Sequence, residues 1–348
     1  MVTSRCNAFC DFCWNWKNVA SAGKLYKAGQ PILRKELTLD EIEKITKRLP
    51  RMLLVDLFGG EPFVREDLGE IINLFAKNTK AKYISIPTNG FYCEKIFSTL
   101  REAFRQNPET YFRICISIDG PSVTHNKIRK LKNGFENAME SAKALSSLKS
   151  TFSNFSLSCN SNYNKDTAET IEEFLDFALK TEYFDNINLN IIRGNPFDKE
   201  LMKVDHRKYF KIKKNLSERQ KLISTQRKFS ALQDVFSEYT DQVVLESFEQ
   251  EQQKRQFNCF ALRKISVLSD QGDLFACEEM LDKPLGNVRD YNYDIEKIIE
   301  AKSAQELKNK ILKKECNCRW ECAINTSSVF DIKRYPVMTT KAVLKKLL

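Results

Sequence analysis

Apolar residues recur along this chain in two rhythms. Short β-rich runs appear at Met52–Phe58, Lys82–Pro87, Tyr111–Ile118, Phe155–Cys159 and Asn186–Ile192. Before and between them, apolar positions return about every ~3.6 residues over Leu39–Leu49, Glu66–Asn78, Cys93–Phe104, Phe135–Leu148 and Thr167–Leu179, which predicts helices. Thr38-Leu39-Asp40-Glu41 has the form of a capping box, in which each side chain reaches a free backbone N–H, and it opens the first helix. Strands alternating with helices predict βαβ units, a parallel sheet and an α/β fold. A stub at Met1–Thr3 would add a sixth strand. It is shorter than the usual ~5–6 residues, which leaves open whether the first strand is truncated. In such sheets ligands sit at the carboxyl ends of the strands, where the βα loops converge.

The texture changes at residue 197. Residues 197–258 lack strand alternation and glycine and read as two or more helices. Segment 201–228 holds ten basic residues against Asp205 and Glu218, a net of +8, whereas 229–258 holds two basic and six acidic residues, a net of −4. From Cys259 a third texture begins. A hairpin-like pair, Lys264–Leu268 and Leu274–Cys277, is joined through Asp270-Gln271-Gly272-Asp273, and a Lys-rich helix leads to the last cysteines. The expected division is 1–196, 197–258 and 259–348.

Composition narrows the class. The 348 residues are 42% hydrophobic and carry a formal charge of +10, enough apolar material for a sizeable core and against wholesale disorder. No apolar run approaches the ~18 residues that span a membrane, and the start lacks a signal-peptide h-region. A cytoplasmic protein is expected. The +8 segment reads as a solvated helix face, and the few aromatics near it, Tyr209, Phe210 and Phe229, speak against nucleic acid.

The cysteines carry the chemistry. Of the 11, three crowd the first 13 residues and five follow residue 258. A disulfide framework suits a short secreted chain; clustered thiols in a reducing compartment hold metal or react. His125 and His206 are the only histidines and neither lies in a cluster, which disfavours mixed Cys/His zinc sites. Cys6-Asn7-Ala8-Phe9-Cys10-Asp11-Phe12-Cys13 places three soft ligands in eight residues. Three thiolates on a four-iron cluster leave one iron open, as catalytic metal sites are; structural zinc is the competing use of the same triplet. Cys93, Cys115 and Cys159 read as small buried hydrophobes. His125 reads as a loop contact, and Trp14 and Trp16 either shield the cysteine loop or pack in the core.

This CxxxCxxC, with Phe12 before its last cysteine, resembles the signature of the radical S-adenosylmethionine superfamily. Phe58-Gly59-Gly60-Glu61-Pro62 after the second strand is similar to that family's GGEP motif. Thr88-Asn89-Gly90 and Ser117-Ile118-Asp119-Gly120-Pro121 follow the next two strands in the family's order. The likeness covers residues 1–193. It implies a partial (β/α)6 TIM-like barrel, a [4Fe-4S] cluster on Cys6, Cys10 and Cys13, and S-adenosylmethionine bound by Gly59, Gly60, Glu61, Pro62, Ser117, Asp119 and Arg129. Two glycines are also what a backbone needs to approach a ligand closely. The family chemistry implied is one-electron cleavage of the sulfonium to a 5′-deoxyadenosyl radical that abstracts hydrogen from a substrate, with an electron donor such as flavodoxin or ferredoxin.

The late cysteines, Cys259, Cys277, Cys316, Cys318 and Cys322, resemble the twitch and SPASM auxiliary-cluster domains of that superfamily, as does Leu285-Gly286-Asn287-Val288. Five cysteines favour the shorter, one-cluster twitch form. The expected ligands are Cys259, Cys277, Cys318 and Cys322, with Cys316 competing with Cys318. The resemblance therefore predicts a radical S-adenosylmethionine oxidoreductase with one auxiliary Fe–S cluster, acting on a small molecule (alcohol or sugar dehydrogenation) or modifying a peptide. The rival is a zinc-stabilised binding protein without chemistry.

Overall fold

The computed structural model describes residues 1–17, 19, 35–223, 230–249, 255, 257–316, 318 and 320–347. Residues 224–228 of the basic segment and 229, 250–254 and 256 of the acidic one, Phe229 included, lie outside these. Five parallel strands form one sheet in the order β1-β2-β3-β4-β5: β1 (Leu54–Asp56), β2 (Tyr83–Thr88), β3 (Tyr111–Ser117), β4 (Phe155–Tyr163) and β5 (Asn186–Ile191). Helices α1 (Leu39–Thr46), α2 (Leu68–Thr79), α3 (Cys93–Gln106), α4 (Ser122–Arg129), α5 (Gly134–Ser147) and α6 (Ile171–Lys180) alternate with them. This is a partial TIM-like α/β barrel.

The sixth strand is reduced to a single parallel bridge, Thr3↔Gly59. The chain pairs only beyond the end of β1, with Val2 N–H donating to Phe58 O (2.7 Å), before turning into the cysteine loop. Buried Arg65 holds the stub in place, donating to Val2 O (2.8 Å) and Leu37 O (2.6 Å).

Strand alternation sorts the side chains by face. Ile84, Ile86, Phe112, Ile114, Ile116 and Leu157 are fully buried against the helices; Phe104 of α3, for example, meets Phe112 with ring centroids 5.0 Å apart. The alternate positions face the barrel interior and are mostly polar. This explains why β4 runs four residues past Cys159. Asn160-Ser161-Asn162 has little intrinsic strand preference, but each residue pairs with β5 (Asn160↔Asn188, Ser161↔Leu189, Asn162↔Asn190), and the ladder overrides propensity.

Helices α7 (His206–Ile223) and α8 (Ser230–Glu249) follow the sheet. Buried Tyr209 on α7 donates to Leu189 O of β5 (3.0 Å) and to Glu321 (3.1 Å); Lys213 bridges Asp241 of α8 (2.8 Å) and Glu321 (2.9 Å). The expected hairpin is β6 (Val267–Leu268) against β7 (Asp273–Phe275), joined by β8 (Gly286–Asn287) in a second, antiparallel sheet. Helices α9 (Ile295–Glu300), α10 (Lys302–Leu312), α11 (Glu321–Phe330) and α12 (Tyr335–Leu347) complete the described chain. Among the described residues no helix is long and apolar enough to cross a membrane.

Polar contacts tie the antiparallel sheet and the turn after it to the barrel. Asp270 in its turn accepts from Ser4 N–H (2.8 Å) and Ser4 Oγ (2.7 Å), two residues before Cys6. Glu41, whose carboxylate completes the capping box with Thr38, also receives a bidentate Arg289 (2.6 and 3.0 Å). The Arg289 hydrogen bond, working against partial burial, holds the Glu41 carboxyl down to about 2. A depressed folded value means the stabilisation is complete above the usual carboxyl value and is lost as pH falls toward the folded one. The difference in melting temperature between wild type and Glu41→Gln should therefore be constant near neutrality and shrink below about pH 4.5. A gap that holds unchanged to pH 3 would show that the pair contributes nothing through ionisation.

Candidate functional site

The first cysteine loop sits on the carboxyl ends of the strands. Phe9 N–H donates to Arg129 O (3.2 Å) and Asp11 N–H to Ile128 O (3.1 Å), so the loop lies across the end of α4. The Arg129 guanidinium stands 5.3 Å from the Phe12 ring. On the other side, Gly60 N–H donates to Thr3 O (2.8 Å) and Glu61 N–H to Arg5 O (2.9 Å). A Cβ on Gly59 would fall 2.1 Å from Thr3 O, and one on Gly60 2.2 Å from Arg5 O. The close approach that requires these glycines is therefore made by the chain's own residues 3–5; the expectation drawn from the sequence was a ligand.

The other residues of the expected set converge on the same rim. Buried Glu61 accepts from Thr88 Oγ1 (2.7 Å), Asn89 N–H (2.7 Å) and Phe63 N–H (3.2 Å), so its carboxylate braces the loop after β1 against the end of β2; burial pushes its carboxyl up against those donors. Pro62 starts the 3-10 turn that follows. Asp119, fully buried, accepts from Arg129 Nε (2.6 Å), Asn162 N–H (2.9 Å) and Asn162 Nδ2 (3.1 Å). Arg129 and Asp119 thus meet each other. For Arg129, burial opposes the charge but Asp119 and the nearby thiols outweigh it, and the guanidinium stays firmly protonated. Ser117 is half-buried on the interior face of β3. His125 is a buried contact: its Nδ1 accepts from Asp119 N–H (3.1 Å), and burial, with Arg129 nearby, lowers it to about 4, so it is neutral.

The three thiols are half-buried. Burial pushes all three up, Cys10 to about 12, with Arg129 opposing and Cys13 adding to the rise at Cys10. Such thiols ionise only where a cation compensates, which a metal centre does outright. The backbone is prepared for sulfur ligands: Ala8 N–H donates to Cys6 Sγ (3.4 Å) and Asn15 N–H bonds Cys13. Asn7 Oδ1 accepts from Asn89 Nδ2 (2.7 Å), while buried Asn7 Nδ2 has no partner within the described protein. A donor with nothing to donate to, beside Cys6, fits a group carrying acceptor atoms. Asn7 and Asn89 were not in the expected set; their signal was position alone, inside the cysteine loop and in Thr88-Asn89-Gly90. Trp14 and Trp16 flank the loop, half-buried; Trp16 Nε1 donates to Asn195 O (2.9 Å) and its ring meets Phe197 edge-on.

The late cysteines divide into two groups. Cys259, Cys277, Cys316 and Cys318 perturb one another electrostatically. Each has an N–H donor: Ala261 N–H to Cys259 (3.4 Å), Glu279 N–H to Cys277, Trp320 N–H to Cys318 (3.4 Å), and Arg255 Nη1 to Cys316 (3.0 Å). Burial, then neighbouring thiols, raises Cys277 to about 12. Cys322 stands apart, reached by water but enclosed on most sides; burial raises it to about 11, and the charges it feels are Arg193, Glu278, Asp56 and Glu321. Among the described residues no three His, Cys, Asp or Glu side chains converge on a single ion-sized point. Cys93, Cys115 and Cys159 bond instead to Ser141, Asn160 and Ser161.

The inner face of the sheet is layered. Leu54, Tyr83 and Tyr111 are in register at its floor, with the tyrosine rings edge to face at 6.0 Å. Above them Asp56, Ser85, Arg113 and Ser156 share a layer, followed by Ser117, Asn160 and Asn188 higher up. Asp56 is wetted by the interior yet surrounded by protein, and desolvation raises its carboxyl. At the rim Arg193 lies 3.8 Å from Glu278 and over the Trp320 ring at 6.0 Å.

A sequence model of the Radical SAM superfamily matches residues 1–178. Among curated proteins, GTP 3′,8-cyclase of Aquifex aeolicus is 35% identical over 134 residues, 38% of this chain and 37% of that protein. A probable GTP 3′,8-cyclase of Methanococcus aeolicus is 28% identical over 229 residues, 63% of this chain and 65% of that protein. The 7,8-dihydro-6-hydroxymethylpterin dimethyltransferase of Methanocaldococcus jannaschii is 32% identical over 104 residues, 29% of this chain and 19% of that protein. The match spans less than two thirds of each of these relatives. Of solved structures, native anSMEcpe with bound AdoMet shares the fold at a TM-score of 0.57 and 19% identity, over 98% of this chain and 97% of that one.

Proposed function

Because the chain belongs to the radical S-adenosylmethionine superfamily, a family of enzymes that use a [4Fe-4S] cluster and S-adenosylmethionine, we propose that it is an oxidoreductase with one auxiliary iron–sulfur centre of the twitch type. Cys6, Cys10 and Cys13 hold the first cluster; Gly59, Gly60, Glu61, Pro62, Ser117, Asp119 and Arg129 build the S-adenosylmethionine site. When bound, these groups supply a radical that takes hydrogen from an unactivated carbon and, at the second centre, a place for the electron the substrate then loses. The protein's own part is positioning. The Asp119–Arg129 pair fixes the cysteine loop, Glu61 braces the loop after β1, Asn7 Nδ2 offers a hydrogen bond, and Trp14, Trp16 and Phe197 keep water from the loop. The proposed units are 1–196, 197–258 and 259–348. This agrees with a parallel sheet ending at Ile191, a helical pair between, and an antiparallel sheet from Val267. An external one-electron donor such as a flavodoxin or ferredoxin completes the scheme, and a reducing cytoplasm suits it.

The observation that carries the reading is the backbone at the thiols. In both groups an N–H two residues ahead turns back to the sulfur, at Cys6, Cys13, Cys259, Cys277 and Cys318. Hydrogen bonds of this kind stabilise thiolate and tune cluster potential. Near-stoichiometric iron and sulfide after anaerobic purification, with 5′-deoxyadenosine released on reduction, are expected. Zinc without iron at both thiol groups would overturn the proposal in favour of a zinc-stabilised binding protein.

For the auxiliary ligands we place Cys316 beside Cys259, Cys277 and Cys318, with Cys322 outside. Cys316→Ser should remove the auxiliary paramagnetic signal of the reduced protein and Cys322→Ser should keep it. The opposite pair of results would put Cys322 in the shell.

A further inference from the structure

Resting on that reading of the site, we infer that the substrate is a compact polyhydroxylated molecule, of the sugar or cyclitol class, held inside the barrel against the inner faces of β2–β5. In closed (β/α) barrels the interior is packed with bulky branched side chains. Here most inward positions are polar, with Leu54, Pro87 and Cys115 the exceptions. β4 reads Ser156, Ser158, Asn160, Asn162 on alternate residues, and β5 reads Asn186, Asn188, Asn190. The outward residues between them, Leu157, Cys159, Ile187 and Leu189, are buried apolar core. Water reaches the inner face: Asp56, Arg113 and Asn188 are exposed, and Ser85, Ser117 and Asn190 partly so. The barrel therefore holds a wet lumen with a hydrogen-bonding wall.

The wall's chemistry is specific. Ser hydroxyls and Asn amides are short, uncharged, and offer both donors and acceptors, the complement of several hydroxyl groups on one rigid ring. Asn188 Nδ2 already donates to Asn160 Oδ1 (2.8 Å), which orients both amides across the β4–β5 seam. Charge enters at the deep layer, with Asp56 and Arg113, and at the rim, with Arg193 and Glu278. From Ser156 to Asn162 the wall rises about 20 Å at ~3.3 Å per residue. Tyr83 and Tyr111 close it below. That depth takes a small molecule beneath a cofactor at the rim. Of the wall's four strands, β2–β4 are each paired on both sides and offer an extended peptide no free edge, which leaves only β5, and an acyl chain would leave the amides unpaired.

The test uses the anaerobic holoprotein with S-adenosylmethionine and dithionite, and reads the fraction of 5′-deoxyadenosine that carries deuterium. The probes are perdeuterated myo-inositol, perdeuterated decanoate and a deuterated Ala-Ser-Ala peptide. Inositol should label at least about tenfold more than either of the others, and Asn188→Leu/Asn190→Leu should lower its labelling about tenfold, the equivalent of ~1.4 kcal/mol. Equal or greater labelling from decanoate or the peptide overturns the inference, as does a double variant that labels like wild type. Production of no 5′-deoxyadenosine with any probe would instead sink the reading of the site on which the inference rests.

Discussion

Replacement of Cys6, Cys10 and Cys13 together by alanine is expected to reduce 5′-deoxyadenosine release to the level seen without protein. The three thiols sit in eight residues, pressed between the end of α4 and the backbone of residues 58–61. Burial pushes all three upward as free thiols, so they contribute little as acids on their own. In the proposed function their value lies in becoming thiolates around iron, and their loss should take the whole reaction with it. Alanine fills the half-buried positions without a new polar group, so the fold should persist. The melting curve should stay close to wild type, and iron should remain at the second thiol group. Measurable 5′-deoxyadenosine from this variant would refute the assignment of the first cluster.

The second large effect is expected at Arg129. Its guanidinium and the Asp119 carboxylate are both buried, 2.6 Å apart. Arg129→Met keeps much of the volume but leaves Asp119 facing only Asn162, an uncompensated charge in the protein interior. Removing one partner of such a pair costs about 3–5 kcal/mol, a large share of a typical ~5–15 kcal/mol of stability. Urea unfolding should show a clear drop in midpoint. Arg129→Lys keeps the charge without the planar fork and should recover part of it. Because Phe9 and Asp11 hang from the Arg129 and Ile128 carbonyls, the Met variant should also bind less iron at the first cluster. An unchanged midpoint would show that the pair contributes no net stability.

Much of the scaffold was legible in local pattern. The five strand runs and the five helical runs of the first 193 residues each correspond to an element, and the Thr38–Glu41 capping box forms as its residue types require. Local pattern failed where neighbours in space decide. Helix α4 was not anticipated. Its Ser-Val-Thr-His-Asn-Lys-Ile-Arg carries no apolar stripe, Val123 is 83% exposed, and it is held by what docks on its end. The continuation of β4 through Asn160–Asn162 was missed because Asn160 and Asn162 point into a wet barrel and Ser161 is buried with its hydroxyl on Ile118 O. The alternating Ser and Asn of β4 and β5 were nonetheless a period-two signal available in the sequence.

The sequence alone determined which residues can serve as soft ligands, that they fall into an early and a late group, and the order of motifs after successive strands, because these depend on residue type and spacing along the chain. Tertiary structure alone decided that Gly59 and Gly60 make room for residues 3–5, that Asp119 and Arg129 meet each other, and that Cys316 keeps company with Cys259 and Cys277 while Cys322 faces Arg193. Those are neighbours in space that stand from ten to more than a hundred positions apart in the chain. Which of them form depends on how the whole chain shares out its core, and no local periodicity records that.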